Sequence, residues 1–352
     1  MSLIAPAALD EHRTAKISPL VSPADLRREL PVDERAAATV TGSRRDVVDV
    51  LDGRDDRLVV VVGPCSIHDP VAALDYARRL AAHAEKLSGE LCVVMRTYFE
   101  KPRSTVGWKG LINDPGLDGT YDVNSGLRTA RALLLDVIAL GLPVGCEFLD
   151  PITPQFLADV VTWGAIGART AASQVHRQLC SALSMPVGIK NPTDGDVQVA
   201  VDGVGSAAAA HVFMGIGPDG VAALITTHGN PDAHVILRGG ATGPNFDAAS
   251  VAAALGALRR AGLPERVVVD ASHGNSGKDH VRQAAVAREV AARIAAGERG
   301  IAGVMLESFL EAGRQDVGPG MAYGRSVTDA CLDWGTTAAL LDEFAGAVTA
   351  RR

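Results

Sequence analysis

Residues 58–69 read LVVVVGPCSIHD. Four consecutive valines, Val59 to Val62, are more than a strand with one wet face uses. The run is therefore read as a strand buried on both sides, as in a parallel sheet covered by helices. Gly63 and Pro64 end it, because proline has no N–H to give to a ladder. Cys65 then stands where the chain leaves the core, with His68 and Asp69 close behind.

The same rhythm continues downstream. Short apolar runs at 58–64, 91–97, 143–148, 165–168, 186–190, 234–238, 267–271 and 303–307 alternate with longer segments of helical period. The clearest of these helices are Tyr76–Leu87, Ser125–Ala139, Pro154–Trp163, Ala248–Ala261 and Asp279–Ala296. Strands separated by helices imply right-handed βαβ units and a parallel sheet. Two further apolar runs, 210–214 and 221–226, are joined by the turn sequence GIGPDG and read as an inserted hairpin. Eight strands remain, the number of a (β/α)8 TIM barrel. The expected organisation is an N-terminal arm or cap over 1–45, with a short helix near Ser22–Leu30. A barrel follows over 46–352, carrying the hairpin at about 210–226.

Each of the eight runs ends in an ionisable group: Cys65, Arg96, Glu147, Arg169, Lys190, Arg238, Asp270 with His273, and Glu307. Any one of these has an ordinary explanation as a core thiol, a solvated charge or half of an ion pair. A barrel gathers all its strand ends at one mouth, so the set as a whole points to a site. Arg96, Arg169, Lys190 and Arg238, joined by Lys101 and Arg103 from the following loop, suit a small ligand with more than one anionic group. Cys65, His273 and Glu307 end strands that become neighbours on closure. Asp329, in the stretch AYGRSVTDA, is the best fourth donor. This mixed set suits one divalent metal ion of the borderline kind, Mn, Fe, Co or Zn. Asp69 is read as a helix cap, His176 as a surface or hydrogen-bonded histidine, and Cys92 and Cys146 as core.

The formal net charge of −7 argues against a nucleic-acid partner. No uncharged run is long enough to span a membrane, and no secretory signal opens the chain. Five scattered cysteines suggest a reducing, cytoplasmic setting. Neither a GxGxxG fingerprint after the first strand nor a GxxxxGK[ST] loop is present, so nucleotide cofactors lack support.

The motifs GPCSIHD (63–69), YFEKPR (98–103), TVGWKGLINDP (105–115), WGAIGART (163–170), SQVHR (173–177), ILRGG (236–240), SHGNS (272–276) and TDAC (328–331) together resemble the class I 3-deoxy-D-arabino-heptulosonate 7-phosphate (DAHP) synthases. The likeness runs from about residue 18 to near the C-terminus. It implies condensation of phosphoenolpyruvate with erythrose 4-phosphate and water to give DAHP and phosphate, the opening step toward the aromatic amino acids. It implies Cys65, His273, Glu307 and Asp329 as metal ligands. Arg96, Lys101, Glu147, Ala168, Arg169, Lys190 and Arg238 would lie against phosphoenolpyruvate, and Lys101, Arg103 and Ser104 would meet the aldose phosphate. Lys101, Lys190 and His273 are the expected catalytic groups. An aromatic amino acid effector is implied near the arm, Asp150, Gln155, Leu179, Ser184 and Phe213 on the hairpin, in a homodimer or homotetramer. Against the family pattern, Ser104 replaces threonine, Pro192 replaces glycine after Lys190-Asn191, and the loop 310–321 is glycine-rich. The rival readings are a sister synthase using another phosphosugar in specialised metabolism, a Schiff-base aldolase using Lys190, and a non-catalytic sensor.

Overall fold

The computed structural model describes residues 13–103 and 105–352. Eight strands close into a barrel. They are β1 (Leu58–Gly63), β2 (Leu91–Arg96), β3 (Val144–Glu147), β4 (Trp163–Ile166), β5 (Val187–Lys190), β8 (His234–Leu237), β9 (Val267–Asp270) and β10 (Ile301–Glu307). All neighbours are parallel, and β1 closes the ring between β2 and β10. The antiparallel pair β6 (Val212–Ile216) and β7 (Ala222–Thr226) interrupts the sequence between β5 and β8 as a separate hairpin.

The valine run explains itself in this setting. Val59 and Val61 face the barrel interior with Val94, Trp163, Ile236, Val268 and Met305, while Val60 and Val62 belong to the layer packed under the helices. The helices start at aspartates that follow the strands. Asp69 accepts from the Val71 and Ala72 N–H groups at 2.9 and 3.1 Å and so caps helix Pro70–Ala84. Asp122, Asp247 and Asp333 do the same for Val123–Ala139, Ala248–Arg260 and Trp334–Arg351, satisfying amides that a helix start leaves open.

One expectation needs correction. The segment 154–163 is not one helix: Thr153–Leu157 is a short helix, a 3-10 turn covers Ala158–Val160, and Trp163 opens β4. The Thr162 N–H donates to the Val144 carbonyl, so sheet pairing takes over from the helix there, and the fully buried indole fills the barrel. Strand β4 consequently ends at Ile166, and Arg169 stands in the turn beyond it.

The arm is docked. Ser22 caps helix Pro23–Glu29, and the Ala24 N–H donates to the Pro218 carbonyl at the hairpin turn. Arg27 donates to the Gln155 carbonyl at 2.6 Å. The next helix, Glu34–Leu51, runs through residue 45 without a break, so the expected boundary falls inside an element.

Candidate active site

Register builds the centre of the mouth. Gly63 pairs with Glu307 and accepts from the Ser308 N–H at 2.9 Å, which brings Cys65 beside the Glu307 carboxylate. Asp329 returns on the loop after β10, which is held by the bridges Ser308 to Leu332 and Gly313 to Cys331. One donor atom each from Cys65, Glu307 and Asp329 lies within 4.8 Å of the others. His273 joins from one side only, its Nε2 lying 3.6 Å from Glu307 Oε1. Its Nδ1 lies 2.6 Å from Ser272 Oγ and 2.9 Å from Asp270 Oδ2; a proton on Nδ1 leaves the Nε2 lone pair free for a ligand.

Burial pushes the Cys65 thiol up to about 11, helped by the Glu307 charge and opposed by Lys101. Burial also acts to raise Asp329, but the ammonium groups of Lys101 and Lys278 outweigh it and hold the carboxyl at about 2. Lys101 Nζ lies 3.0 Å from Cys65 Sγ. A thiol, two carboxylates and a nearby imidazole nitrogen form a donor set that fits a borderline divalent cation.

A cavity of about 570 Å³ opens above this group, and Lys101, Arg103, Glu147, Ala168, Arg169, Lys190, Arg238, His273 and Asp329 all line it. Cys65, Glu307 and Arg96 lie beneath that lining. Arg96 is fully buried, its guanidinium 3.9 Å from the Tyr98 ring centre and 3.2 Å from Glu307. Lys190 Nζ is 3.0 Å from Asp270, which Lys190 and His273 hold well below the usual carboxylate range despite its burial. Arg238 is buried too, yet among the described residues its guanidinium donates only to the Gly239 carbonyl, at 3.1 Å, and its Nε has no partner. Ser104 lies outside the described residues.

Sequence reasoning assigned no role to four residues that shape the mouth. Asp270 ended a strand but was overshadowed by His273. Lys278 donates to Asp329 at 3.0 Å from a left-handed turn position, φ 64°, and looks like any surface lysine in sequence. Gln283 receives the Glu307 N–H at 2.7 Å and donates to the Glu307 carbonyl at 3.0 Å. It takes the place of a strand neighbour, because β9 no longer pairs with β10 beyond Met305. Glu100 is buried and accepts from the Leu149 and Asp150 amides and the Thr153 hydroxyl. The ordinary readings elsewhere hold: His176 bonds Ser173 and the Leu149 carbonyl, and Cys92 and Cys146 are buried.

A second cavity, about 510 Å³, lies between the segment 181–185 and the hairpin's second strand, with Gln155 and Ser184 in its wall. Asp150, Leu179 and Phe213 are not among its lining residues, although Phe213 pairs with Ile225, which is.

Fold and site define a barrel enzyme whose mouth sets a cavity lined by arginine and lysine beside a group able to take a metal ion. The model of the DAHP synthetase I family matches residues 29–342, and the chain belongs to that family. It is 54% identical to a phospho-2-dehydro-3-deoxyheptonate aldolase of Corynebacterium glutamicum, covering 100% of this chain and 98% of the relative. It is 53% identical to the Phe-sensitive phospho-2-dehydro-3-deoxyheptonate aldolase of Escherichia coli K12, over 97% of this chain and 98% of the relative. The structure of the corresponding aldolase from Francisella tularensis superimposes with a TM-score of 0.95 at 48% identity, covering 96% of this chain and 99% of that one.

Proposed function

We propose that the chain condenses phosphoenolpyruvate with D-erythrose 4-phosphate and water to give DAHP and phosphate. It is a DAHP synthase, a transferase. The observation that carries the reading is the pairing of one cavity lined by Lys101, Arg169, Lys190 and Arg238 with the Cys65–Glu307–Asp329 group at its base.

Arg238, Arg169 and Lys190 hold the phosphate and carboxylate of phosphoenolpyruvate, guanidinium forks matching oxyanions and ammonium adding a point charge. Arg96 supports this floor from below, and Glu147 and Ala168 bound its side. Lys101 and Arg103, with Ser104 next in sequence, take the aldose phosphate, so that two anions are held in one orientation at the cost of binding rather than of the reaction barrier. C3 of phosphoenolpyruvate then bonds to the aldehyde carbon, water adds at C2, and the C2–O bond to phosphate breaks. Lys190, steadied by Asp270, moves a proton during this exchange. Cys65, His273, Glu307 and Asp329 would hold one divalent cation, Mn, Fe, Co or Zn, which would supply Lewis acidity toward the aldehyde oxygen.

Effector control belongs to the second cavity, where Gln155 and Ser184 face the hairpin; one relative is named Phe-sensitive, and an aromatic amino acid is the proposed ligand. The hairpin exposes Val212, Met214, Val221 and Leu224, an apolar face that suits a second copy in a homodimer or homotetramer. No helix among the described residues is long and apolar enough to cross a membrane, and the five free cysteines fit a cytoplasmic setting.

The test is phosphate release from phosphoenolpyruvate on adding erythrose 4-phosphate, with and without EDTA and with each aromatic amino acid. Release that needs both the aldose and a metal supports the proposal; release with arabinose 5-phosphate alone overturns the choice of aldose.

A further inference from the structure

At the mouth, strands β5, β8 and β9 diverge, and backbone pairing between them runs out at Lys190, Leu237 and Asp270. The peptide groups just beyond would be unpaired where they are buried, a situation proteins avoid. Three asparagine side chains fill the gap. The Arg238 N–H donates to Asn191 Oδ1 at 2.9 Å, and the Gly239 N–H to Asn245 Oδ1 at 2.7 Å. The Arg238 carbonyl accepts from the Gly274 and Asn275 amides at 2.9 and 3.2 Å. The Gly239 carbonyl accepts from Asn191 Nδ2 at 3.0 Å. Every backbone donor and acceptor of Arg238 and Gly239 is thereby used.

The three carboxamides also lock one another. Asn245 Nδ2 donates to Asn191 Oδ1 at 3.1 Å, and the Asn245 N–H to Asn275 Oδ1 at 2.8 Å. Asn275 Nδ2 donates to the Leu237 and Asp270 carbonyls, at 3.1 and 2.7 Å, tying together the ends of β8 and β9. All three are buried, and none lines the cavity. The backbone they hold is packed without spare room. Gly239 has φ +69°, and a Cβ there would lie 2.4 Å from the Gly274 carbonyl carbon; at Gly240 it would lie 2.3 Å from the Gly195 Cα.

What the network holds is a cation with no carboxylate in direct contact among the described residues; Asp270, Glu307 and Asp329 act on it only from further off. Among the described residues, the Arg238 guanidinium faces the cavity with its Nε unpartnered and makes no contact pair with a carboxylate. A buried charge in that state favours any rearrangement that would return it to water. A backbone clamped at all four polar groups removes the cheapest such rearrangement.

We propose that Asn191, Asn245 and Asn275 are positioning residues for Arg238, fixing its backbone so that the guanidinium is presented to the anionic group of phosphoenolpyruvate before the ligand arrives. The inference rests on the assignment of Arg238 to that substrate.

A double-mutant cycle decides it, on the full chain with its metal. Asn245→Ala should raise KM for phosphoenolpyruvate about tenfold or more, as misplacement of a binding group does. KM for erythrose 4-phosphate and Mn2+ binding should stay unchanged. Asn245→Asp keeps the acceptor for the Gly239 N–H but sets a carboxylate against Asn191 Oδ1, and should act in the same direction if the alanine variant folds poorly. In an Arg238→Ala background either change should add nothing. An equal further loss in that background, or an unchanged KM in the single variants, overturns the positioning role. If Arg238→Ala itself leaves KM for phosphoenolpyruvate unchanged, the assignment of Arg238 falls first, and the inference with it.

Discussion

Two buried arginines show how the same side chain serves opposite ends. Arg131 lies where the N-terminal arm meets the barrel, with no exposed side chain, and every arm of its fork is occupied. It forms two 2.8 Å bonds to Asp159 and donates to the Leu30 carbonyl at 2.9 Å and the Phe156 carbonyl at 3.0 Å. Arg238 lies at the mouth, almost as deeply buried, and among the described residues its guanidinium makes one bond, to its own turn. Burial of a charge is costly unless partners replace water. At Arg131 the protein supplies them; at Arg238 the protein fixes the backbone, and the proposed partner of the guanidinium is the substrate. Charge and burial are alike at the two positions, so the difference lies in how many partners each guanidinium has.

Replacement of each by methionine should break the comparison in opposite directions. Arg238→Met should lower kcat/KM for phosphoenolpyruvate by about 100- to 1,000-fold, the range for truncating a buried charge that grips its partner. Unfolding of the substrate-free protein in urea should show unchanged or higher stability, because a buried charge with no contact ion pair among the described residues has gone. A clear loss of stability would show that Arg238 has a structural partner. Arg131→Met should do the reverse. It leaves Asp159, the Leu30 carbonyl and the Phe156 carbonyl short of a donor, for a loss of about 3 kcal/mol in urea unfolding. Arg27 reaches the same Asp159 carboxylate at 3.7 Å and softens the effect. Its kcat/KM should stay within about twofold; a large fall would mean that the arm communicates with the mouth.

The sequence shows one of these arginines and hides the other, for a physical reason. Arg238 ends an apolar run, and in a barrel a strand end has a known destination. That rule also makes Cys65, Glu147, Lys190 and Glu307 legible, together with the closure order that brings Cys65 to Glu307. Arg131 sits inside a helix, where an arginine has many destinations. The same applies to Gln283, which braces Glu307 from a helix face, and to Asn245, which sits in a loop. Residues that act by holding another residue's backbone leave no periodic mark. The helix expected over 154–163 failed for a related reason: the apolar pattern continues through Trp163, and only the Thr162 bond to Val144 shows that the strand has begun.

Glu100 sharpens the comparison from the side of negative charge. It is buried with three donors and, among the described residues, no cation hydrogen-bonded to it, and burial, with Asp150 nearby, pushes its carboxyl up to about 8 against backbone bonds that favour the charge. The folded chain therefore keeps a proton that the unfolded chain releases above 4.5. Stability from this group is fully present below the unfolded value and is lost as pH rises through about 8. From about pH 6 to about pH 8 the loss should approach 2 kcal/mol, and Glu100→Gln should flatten that slope in urea unfolding. A slope unchanged by the substitution would place the titration elsewhere.

Lys278 is the mild case, a cation half in water whose partner is also a proposed metal ligand. Its ammonium donates to Asp329 Oδ1 at 3.0 Å with 54% of the side chain exposed. A pair so exposed contributes less than about 1 kcal/mol, so Lys278→Met should leave urea unfolding nearly unchanged. The effect should appear in cation binding, because Lys278 competes for an oxygen of the Cys65–Glu307–Asp329 group. Removing one positive charge at this range in a partly wet site is worth about 1 kcal/mol, so Mn2+ should bind the metal-free protein about fivefold more tightly, measured by calorimetry or electron paramagnetic resonance. Weaker Mn2+ binding would reverse the reading: the lysine would then be holding Asp329 in place for the metal, and the contrast between occupied and waiting charges would extend to the carboxylate side of the mouth.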